Sequence, residues 1–124
     1  AERTVEQYRQ AYEVRSLDAL TPMYSPTPEL VVISQGRMRM GWDSVRTHLT
    51  GLLSKATDVQ LKISDMRITA LGEGGVAVTC KLRRIISDGI TTIREDGILT
   101  LTMRRDGDRW VIVSEHFSFP PGAG

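Results

Sequence analysis

Three long stretches rich in Val, Ile, Leu and Thr dominate the second half of the chain. Two turn signals separate them, Ser87-Asp88-Gly89-Ile90 and Arg105-Asp106-Gly107-Asp108. Asp-Gly between such stretches is a strong short-range signal for a β-hairpin. The pattern therefore predicts an antiparallel meander over residues 61–119.

The register of this meander follows from the turns if each loop has two residues. Counting outward places Cys80 opposite Gly97, and Gly97 opposite His116. Because side chains alternate with period two, one face then collects Val76, Val78, Cys80, Leu82, Arg84, Ile93, Glu95, Gly97, Leu99, Leu101, Met103, Trp110, Ile112, Ser114, His116 and Ser118. The other face collects Lys81, Arg83, Arg94, Asp96, Thr100, Thr102, Val111, Val113, Glu115, Phe117 and Phe119. A bulge at either turn would move His116 to the other face.

The first half of the chain has helical periodicity. Val5, Tyr8 and Tyr12 predict an amphipathic helix over about residues 3–15, behind a capping-box pattern at residues 4–7. Ser16 and Asp18 can cap a second, short helix. Apolar positions at helical spacing from Trp42 predict a third helix to about residue 55, capped by Asp43 or Ser44.

Short strands are predicted at residues 30–34 and within residues 35–40, before the third helix. A change of parity along residues 59–70 predicts a bulge near Ser64 and Asp65, which would curl the strand. The predicted fold is α+β: a curled antiparallel sheet wrapped around helices.

Composition limits the function classes. A 124-residue chain with 40% apolar and 25% charged residues is typical of one globular domain, and a net charge of +1 does not favour nucleic-acid or membrane binding. One cysteine and two histidines, without ligand spacing, predict neither a disulfide nor a metal site. No cofactor is expected, since the Gly-rich residues 72–75 join two strands and open no helix.

The start at Ala1 fits either a trimmed chain or a mature exported protein, so a cytoplasmic and an exported location both stay open. The preference for Arg over Lys and the absence of Asn favour a GC-rich, bacterial source.

The polar end of the first face is the candidate site. Diagonal neighbours on adjacent strands lie about 7–8 Å apart, so His116 would come within reach of Glu95, with Gly97 leaving space before its ring. A histidine oriented by a carboxylate can act as a general base near neutral pH. Helical residues that could cover the cluster are Tyr8, Tyr12, Trp42 and His48. The alternative is a polar core in which these groups only satisfy one another.

The order of elements resembles the nuclear transport factor 2-like superfamily. The resemblance rests on Ser16-Leu17-Asp18-Ala19-Leu20 after the first helix, on Gly36 and Gly41 before the third, and on the closing residues 110–118. Within the superfamily the chain is most similar to SnoaL-like domains. The resemblance implies a single cone-shaped, cystatin-like domain over residues 1–124, ordered from about 3 to 119 with a tail at 120–124. It also implies a pocket closed by the helices and a homodimer on the outer face of the sheet.

The resemblance also assigns positions to functional residues. Tyr8 falls where ketosteroid isomerases place the phenol that donates to the developing oxyanion. Ile33 occupies the position of their base, and the position of their carboxylic acid falls near Leu101. A steroid isomerase is therefore not expected, because base and oxyanion donor must act together. The Arg-flanked carboxylates of the superfamily's epoxide hydrolases are not recognisable either.

Two functions remain open. The first is a pocket for a small apolar or aromatic molecule, with possible cyclase, dehydratase or isomerase-type proton transfer. Its catalytic candidates are His116, Glu95 and Tyr8, and its ligand-binding candidates are Tyr12, Trp42, Cys80, Gly97, Trp110 and Ser118. The second is a non-catalytic homodimerisation or association module that uses Val111, Val113, Phe117 and Phe119 on the outer face.

Overall fold

A computed structural model describes residues 1–120 of the protein. Within this range the helices are α1 (Glu2–Glu13), α2 (Leu17–Leu20), a 3₁₀ turn (Thr21–Met23) and α3 (Trp42–Lys55). The strands are β1 (Val31–Ser34), β2 (Arg37–Met40), β3 (Asp58–Ala70), β4 (Gly75–Ser87), β5 (Thr92–Asp106) and β6 (Arg109–Ser118). The predicted α+β fold is confirmed. Of the predicted tail at 120–124, all but Pro120 lies outside the described residues.

All the named strands belong to one sheet, in the order β2-β1-β6-β5-β4-β3. Neighbouring strands are antiparallel except β1 and β6, which are parallel. The predicted bulge in β3 is confirmed, because the pairing with β4 shifts between Ser64 and Arg67 and Asp65 has a φ of 52°. A bulge bends its strand, so the sheet curls around the helices.

The helices cover the inner face of the sheet with the residues that periodicity predicts. Val5, Tyr8, Ala11 and Tyr12 are buried on α1. The residues buried on α3 are Val45, Leu49 and Leu53. No helix in the described part of the chain is long and apolar enough to cross a membrane.

The helix caps agree only partly with the sequence pattern. Ser16 caps α2 through a 3.1 Å hydrogen bond from the Ala19 amide, as predicted. The capping box at residues 4–7 is wrong, because α1 already begins at Glu2 without a side-chain cap. The cap predicted at Asp43 or Ser44 is also wrong, since α3 begins at Trp42 after Gly41 and has no side-chain cap.

The loop between β4 and β5 corrects the first part of the predicted register. Ser87 pairs with Thr92, so the loop has four residues rather than two. The Asp88 carboxylate accepts the amides of Ile90 and Thr91 at 2.9 and 2.7 Å and stabilises this wider turn. Cys80 therefore lies opposite Leu99 and not opposite Gly97.

A bulge in the β5–β6 pair overturns the second part of the register. Thr102 pairs with Ser114 while Met103 pairs with Ile112, so Val113 is an extra residue on β6. One inserted residue reverses the alternation of every side chain beyond it. Glu115 and Phe117, predicted outside, are buried on the inner face, and His116, predicted inside, is exposed on the outer face.

Candidate functional site

A buried carboxyl group between two phenols forms the polar centre of the interior. The Tyr8 hydroxyl of α1 donates to Glu115 Oε1 of β6 at 2.7 Å. The Tyr24 hydroxyl donates to the same oxygen at 2.6 Å. All three side chains are at most 2% exposed. We call these three residues the phenol cluster.

The backbone brings the phenol cluster together from three distant segments. Glu115 points inward because of the bulge at Val113, and Tyr8 lies on the buried stripe of α1. Tyr24 follows the 3₁₀ turn and forms an isolated parallel bridge with Ile112 of β6. Tyr12 packs edge-on against Tyr8, with ring centroids 5.0 Å apart.

The electrostatic environment of the phenol cluster favours the protonated forms of its carboxyl and hydroxyl groups. Burial raises the pKa of Glu115 above its ordinary value, although the hydrogen bonds from Tyr24 and Tyr8 and the charge of Arg84 act in the opposite direction. Burial, followed by the nearby Glu115 charge, raises the pKa of Tyr8 and of Tyr24 well above the usual range. The phenols therefore stay hydrogen-bond donors, and the carboxyl group is able to take up and release a proton.

A buried ion pair lies further along the inner face. Arg84 of β4 donates to Glu95 Oε1 of β5 through Nη2 at 2.8 Å and Nε at 3.1 Å. The Gln35 amide, in the turn between β1 and β2, donates to the other oxygen at 3.0 Å. The Arg84 guanidinium also lies 4.9 Å from the ring centre of Phe117 and 5.2 Å from that of Phe119. We call Arg84 and Glu95 the inner ion pair.

The structure separates the three residues predicted to be catalytic. Glu95 belongs to the inner ion pair and Tyr8 to the phenol cluster. His116 lies on the outer face between Ile33 of β1 and Thr100 of β5. The predicted contact between His116 and Glu95 is therefore wrong, because the two side chains project from opposite faces of the sheet.

Gly97 has a different steric role from the one predicted. A Cβ atom at this position would collide with the Ser118 carbonyl oxygen and lie 2.6 Å from the Phe119 ring. The glycine thus makes room for the end of β6 and not for an imidazole. Ser118 itself is exposed on the outer face.

Three other predicted ligand-binding residues lie in or beside the core. Cys80 is buried, its Sγ is 3.8 Å from the Leu99 carbonyl oxygen, and burial raises the pKa of its thiol to about 11. Trp110 is half-buried beneath the Arg105 guanidinium. Trp42 stacks on Tyr24 with ring centroids 5.6 Å apart, so it borders the phenol cluster.

Two surface concavities border candidate residues: Trp42 lines one, and Gly97 and Ser118 line the other. One of about 210 Å³ is lined by Pro26, Thr27, Pro28, Met40, Gly41, Trp42 and Asp43. Trp42, which lines this concavity, also stacks on Tyr24. The other, of about 840 Å³, lies at the end of β6 and is lined by Lys62, Ser64, Lys81, Leu82, Arg83, Asp96, Gly97, Ile98, Ser118, Phe119 and Pro120.

The sequence pattern does not reveal Glu115 and Tyr24 as members of the site. Tyr24 lies in a proline-flanked segment without periodicity, and Glu115 was placed on the wrong face. One feature of the sequence does indicate Glu115. The resemblance places the carboxylic acid of the ketosteroid isomerases near Leu101, and Leu101 pairs directly with Glu115 on the next strand. The neighbouring strand therefore supplies a carboxyl group at this place, beside Tyr8.

Solved structures with the same fold are numerous. A candidate dehydratase of the nuclear transport factor 2-like family from Streptomyces avermitilis is 17% identical, with a TM-score of 0.86 over 96% of this chain and 92% of that chain. A candidate scytalone dehydratase from Novosphingobium aromaticivorans is 14% identical, with a TM-score of 0.85 over 96% and 80%. A nuclear transport factor 2-like superfamily protein from Salmonella enterica is 16% identical, with a TM-score of 0.85 over 98% and 89%.

Identities this low demonstrate the fold alone. No curated protein sequence matches the chain at a significant level. The profile of the SnoaL-like domain, however, matches residues 1–122. The chain therefore belongs to the SnoaL-like domain family.

Proposed function

We propose that this domain binds a small apolar or aromatic molecule beside the phenol cluster and catalyses proton transfer of the dehydratase, isomerase or cyclase type. The observation that carries the proposal is the Glu115 carboxyl group, which is fully buried and accepts hydrogen bonds from Tyr8 and Tyr24. A carboxyl group with a raised pKa beside two donors is suited to acid–base catalysis.

A dehydration illustrates the roles. Tyr8 and Tyr24 donate to the carbonyl oxygen of a β-hydroxy ketone and stabilise the enolate that forms. Glu115 takes the proton from the carbon next to the carbonyl and returns it to the departing hydroxyl group, which leaves as water. The carboxylate is regenerated, so the reaction is balanced without a cofactor. Glu95 stays paired with Arg84 in this scheme and borders the binding space.

Access to the phenol cluster would pass Trp42. Its side chain lines the 210 Å³ concavity and stacks on Tyr24, so a rotation of the indole ring would open a path between the two. The names of two structural neighbours, a candidate dehydratase and a candidate scytalone dehydratase, support the reaction class for this chain as well.

The dehydration of 3-hydroxy-1-tetralone to the fluorescent product 1-naphthol tests the proposal. We expect the protein to accelerate this reaction over buffer and Glu115→Gln to lower kcat by about 10²–10⁴-fold, the usual contribution of a general acid–base group. Asp96→Asn is the matched control, because it makes the same change of a carboxylate to an amide on the exposed face. A wild-type rate equal to that of buffer, or a fully active Glu115→Gln variant, contradicts the proposal. Loss of activity in His116→Gln would instead support the role expected from the sequence.

We also propose a homodimer through the outer face of the sheet. Two of the four residues predicted for it, Val111 and Phe117, do not contribute to that surface, since they are only 1% and 3% exposed. The face instead carries an uncharged row of paired residues, Met38, Ile33, His116 and Thr100. Met38 is 63% exposed, and exposed apolar side chains on an uncharged surface favour association.

Sedimentation equilibrium at micromolar concentration tests the dimer. We expect a dimer for the wild type and a monomer for Met38→Glu, because a charge would be buried in the interface. Leu71→Glu is the control, since Leu71 is also exposed and apolar but lies in the turn between β3 and β4. A monomeric wild type, or the same dissociation in both variants, contradicts the dimer face.

A further inference from the structure

One buried nitrogen of Arg39 has no acceptor. Arg39 pairs with Val32, which is 2% exposed, so its side chain lies on the inner side of the β1–β2 hairpin. Its Nη1 atom is shielded from solvent and donates to no acceptor within residues 1–120. Buried donors are satisfied in most proteins, and an unpaired charged donor costs more free energy than a neutral one. Water or a ligand oxygen would satisfy this nitrogen.

The surroundings of Arg39 carry an excess of positive charge. Helix α3 packs on β2 and brings the half-buried His48 to this region. Burial lowers the pKa of His48, and the charges of Arg39, Arg84 and Arg37 lower it further. Within the described residues, neither Arg37 nor Arg39 forms a salt bridge, and the nearby Glu95 already accepts from Arg84 and Gln35. The charge is thus complementary to an anion.

We propose that Arg39 binds an oxyanion of the small-molecule ligand, a carboxylate group, at the inner side of the β1–β2 hairpin. The planar guanidinium group matches the two oxygens of a carboxylate, and burial strengthens the hydrogen bond. His48 in its neutral form adds a second donor from α3. The inference rests on the proposed function, because the anion is part of the same ligand, and it defines the ligand class as aromatic or apolar carboxylic acids.

Calorimetric titration with 2-naphthoate, 2-naphthamide and inorganic phosphate tests the inference. The first two probes share their ring system and differ in charge. We expect 2-naphthoate to bind at least tenfold more tightly than 2-naphthamide to the wild type, and Arg39→Gln to abolish this difference. Arg46→Gln is the control, because Arg46 is an exposed arginine of α3, and it should keep the preference.

A second measurement covers the case in which Arg39→Gln does not fold. In ¹⁵N-arginine-labelled wild-type protein, 2-naphthoate should shift the Arg39 Nε signal, and 2-naphthamide should not. Arg39→Lys keeps the charge but loses the planar pair of donors, and should bind 2-naphthoate more weakly than the wild type.

Three outcomes overturn the inference. Equal affinities for 2-naphthoate and 2-naphthamide mean that water, and not the ligand, accepts the hydrogen bond from Arg39 Nη1. If Arg39→Gln binds 2-naphthoate as tightly as the wild type does, the anion site does not include Arg39. Phosphate binding that depends on Arg39, without a preference for naphthoate, assigns the position to a free inorganic anion. Dehydration of 3-hydroxy-1-tetralone, which carries no anionic group, still tests the proposed function independently in each case.

Discussion

Two arginine–carboxylate pairs lie side by side on β4 and β5 and occupy opposite faces of the sheet. Arg83 and Asp96 form the outer pair, with 54% and 67% of their side chains exposed. Arg84 and Glu95 form the inner pair, with 7% and 5% exposed. The closest N···O distance is 2.8 Å in both. The closest distance therefore does not distinguish the pairs. The inner pair has two hydrogen bonds and the outer pair one, and water and salt screen the exposed outer pair much more strongly.

The phenol cluster extends the comparison to a third carboxyl group. Glu95 accepts hydrogen bonds from a guanidinium and an amide, whereas Glu115 accepts only from neutral phenols among the hydrogen bonds described here. Burial raises the pKa of the Glu115 carboxyl group, and the Arg84 charge opposes that rise only in part. The inner face thus combines Glu95, which stabilises the fold through its pairing with Arg84, with Glu115, whose carboxyl group is able to exchange a proton.

The largest expected effect comes from removing the inner guanidinium. Arg84→Met should lower the free energy of unfolding by about 3–5 kcal/mol, because it leaves the Glu95 charge buried and uncompensated. Arg83→Met is the matched control on the outer face and should cost about 0–1 kcal/mol. Urea unfolding followed by tryptophan fluorescence measures both values. The double variant Arg84→Met/Glu95→Leu should regain most of the lost stability. Equal losses in Arg84→Met and Arg83→Met would contradict the difference between the inner and outer pairs.

A smaller effect is expected from the phenol cluster. Tyr24→Phe should lower the free energy of unfolding by about 0.5–1.5 kcal/mol, the range for one intramolecular hydrogen bond, because Tyr8 still donates to the same Glu115 oxygen. Repeating the change in a Glu115→Leu background completes a double-mutant cycle that isolates the contact. If Tyr24→Phe costs the same in both backgrounds, its hydroxyl group does not stabilise the protein through Glu115.

The smallest effect is a pH dependence that separates Glu115 from a carboxylate held by arginine. Its pKa is raised in the folded state, so between 4.5, the ordinary value, and the folded value the folded protein binds more protons than the unfolded chain. The stability of the wild type relative to Glu115→Gln should therefore fall as the pH rises through this window, by at most about 1.4 kcal/mol per pH unit. Thermal unfolding of both proteins across this window measures the slope. A difference that stays constant with pH, or grows with it, would contradict the raised pKa.

The sequence by itself determined the elements and their order. The third helix spans Trp42–Lys55 as predicted, Ser16 caps α2, and the bulge near Ser64 and Asp65 is present. These features depend on local spacing, in which each residue is read against neighbours a few positions away. Most of the inner face of β4 and β5 was also predicted, because the wider loop shifts the register by two residues and preserves the alternation.

Only the tertiary structure decided the composition of the candidate site. One extra residue, Val113, exchanges the faces of Glu115 and His116, and an alternating pattern does not reveal such an insertion until the pairing partner is known. Tyr24 reaches Glu115 from an irregular segment 91 positions away in sequence. The shielding of Arg39 Nη1 likewise arises only in the folded chain. Contacts of this kind depend on how distant segments pack, and local periodicity carries no information about that.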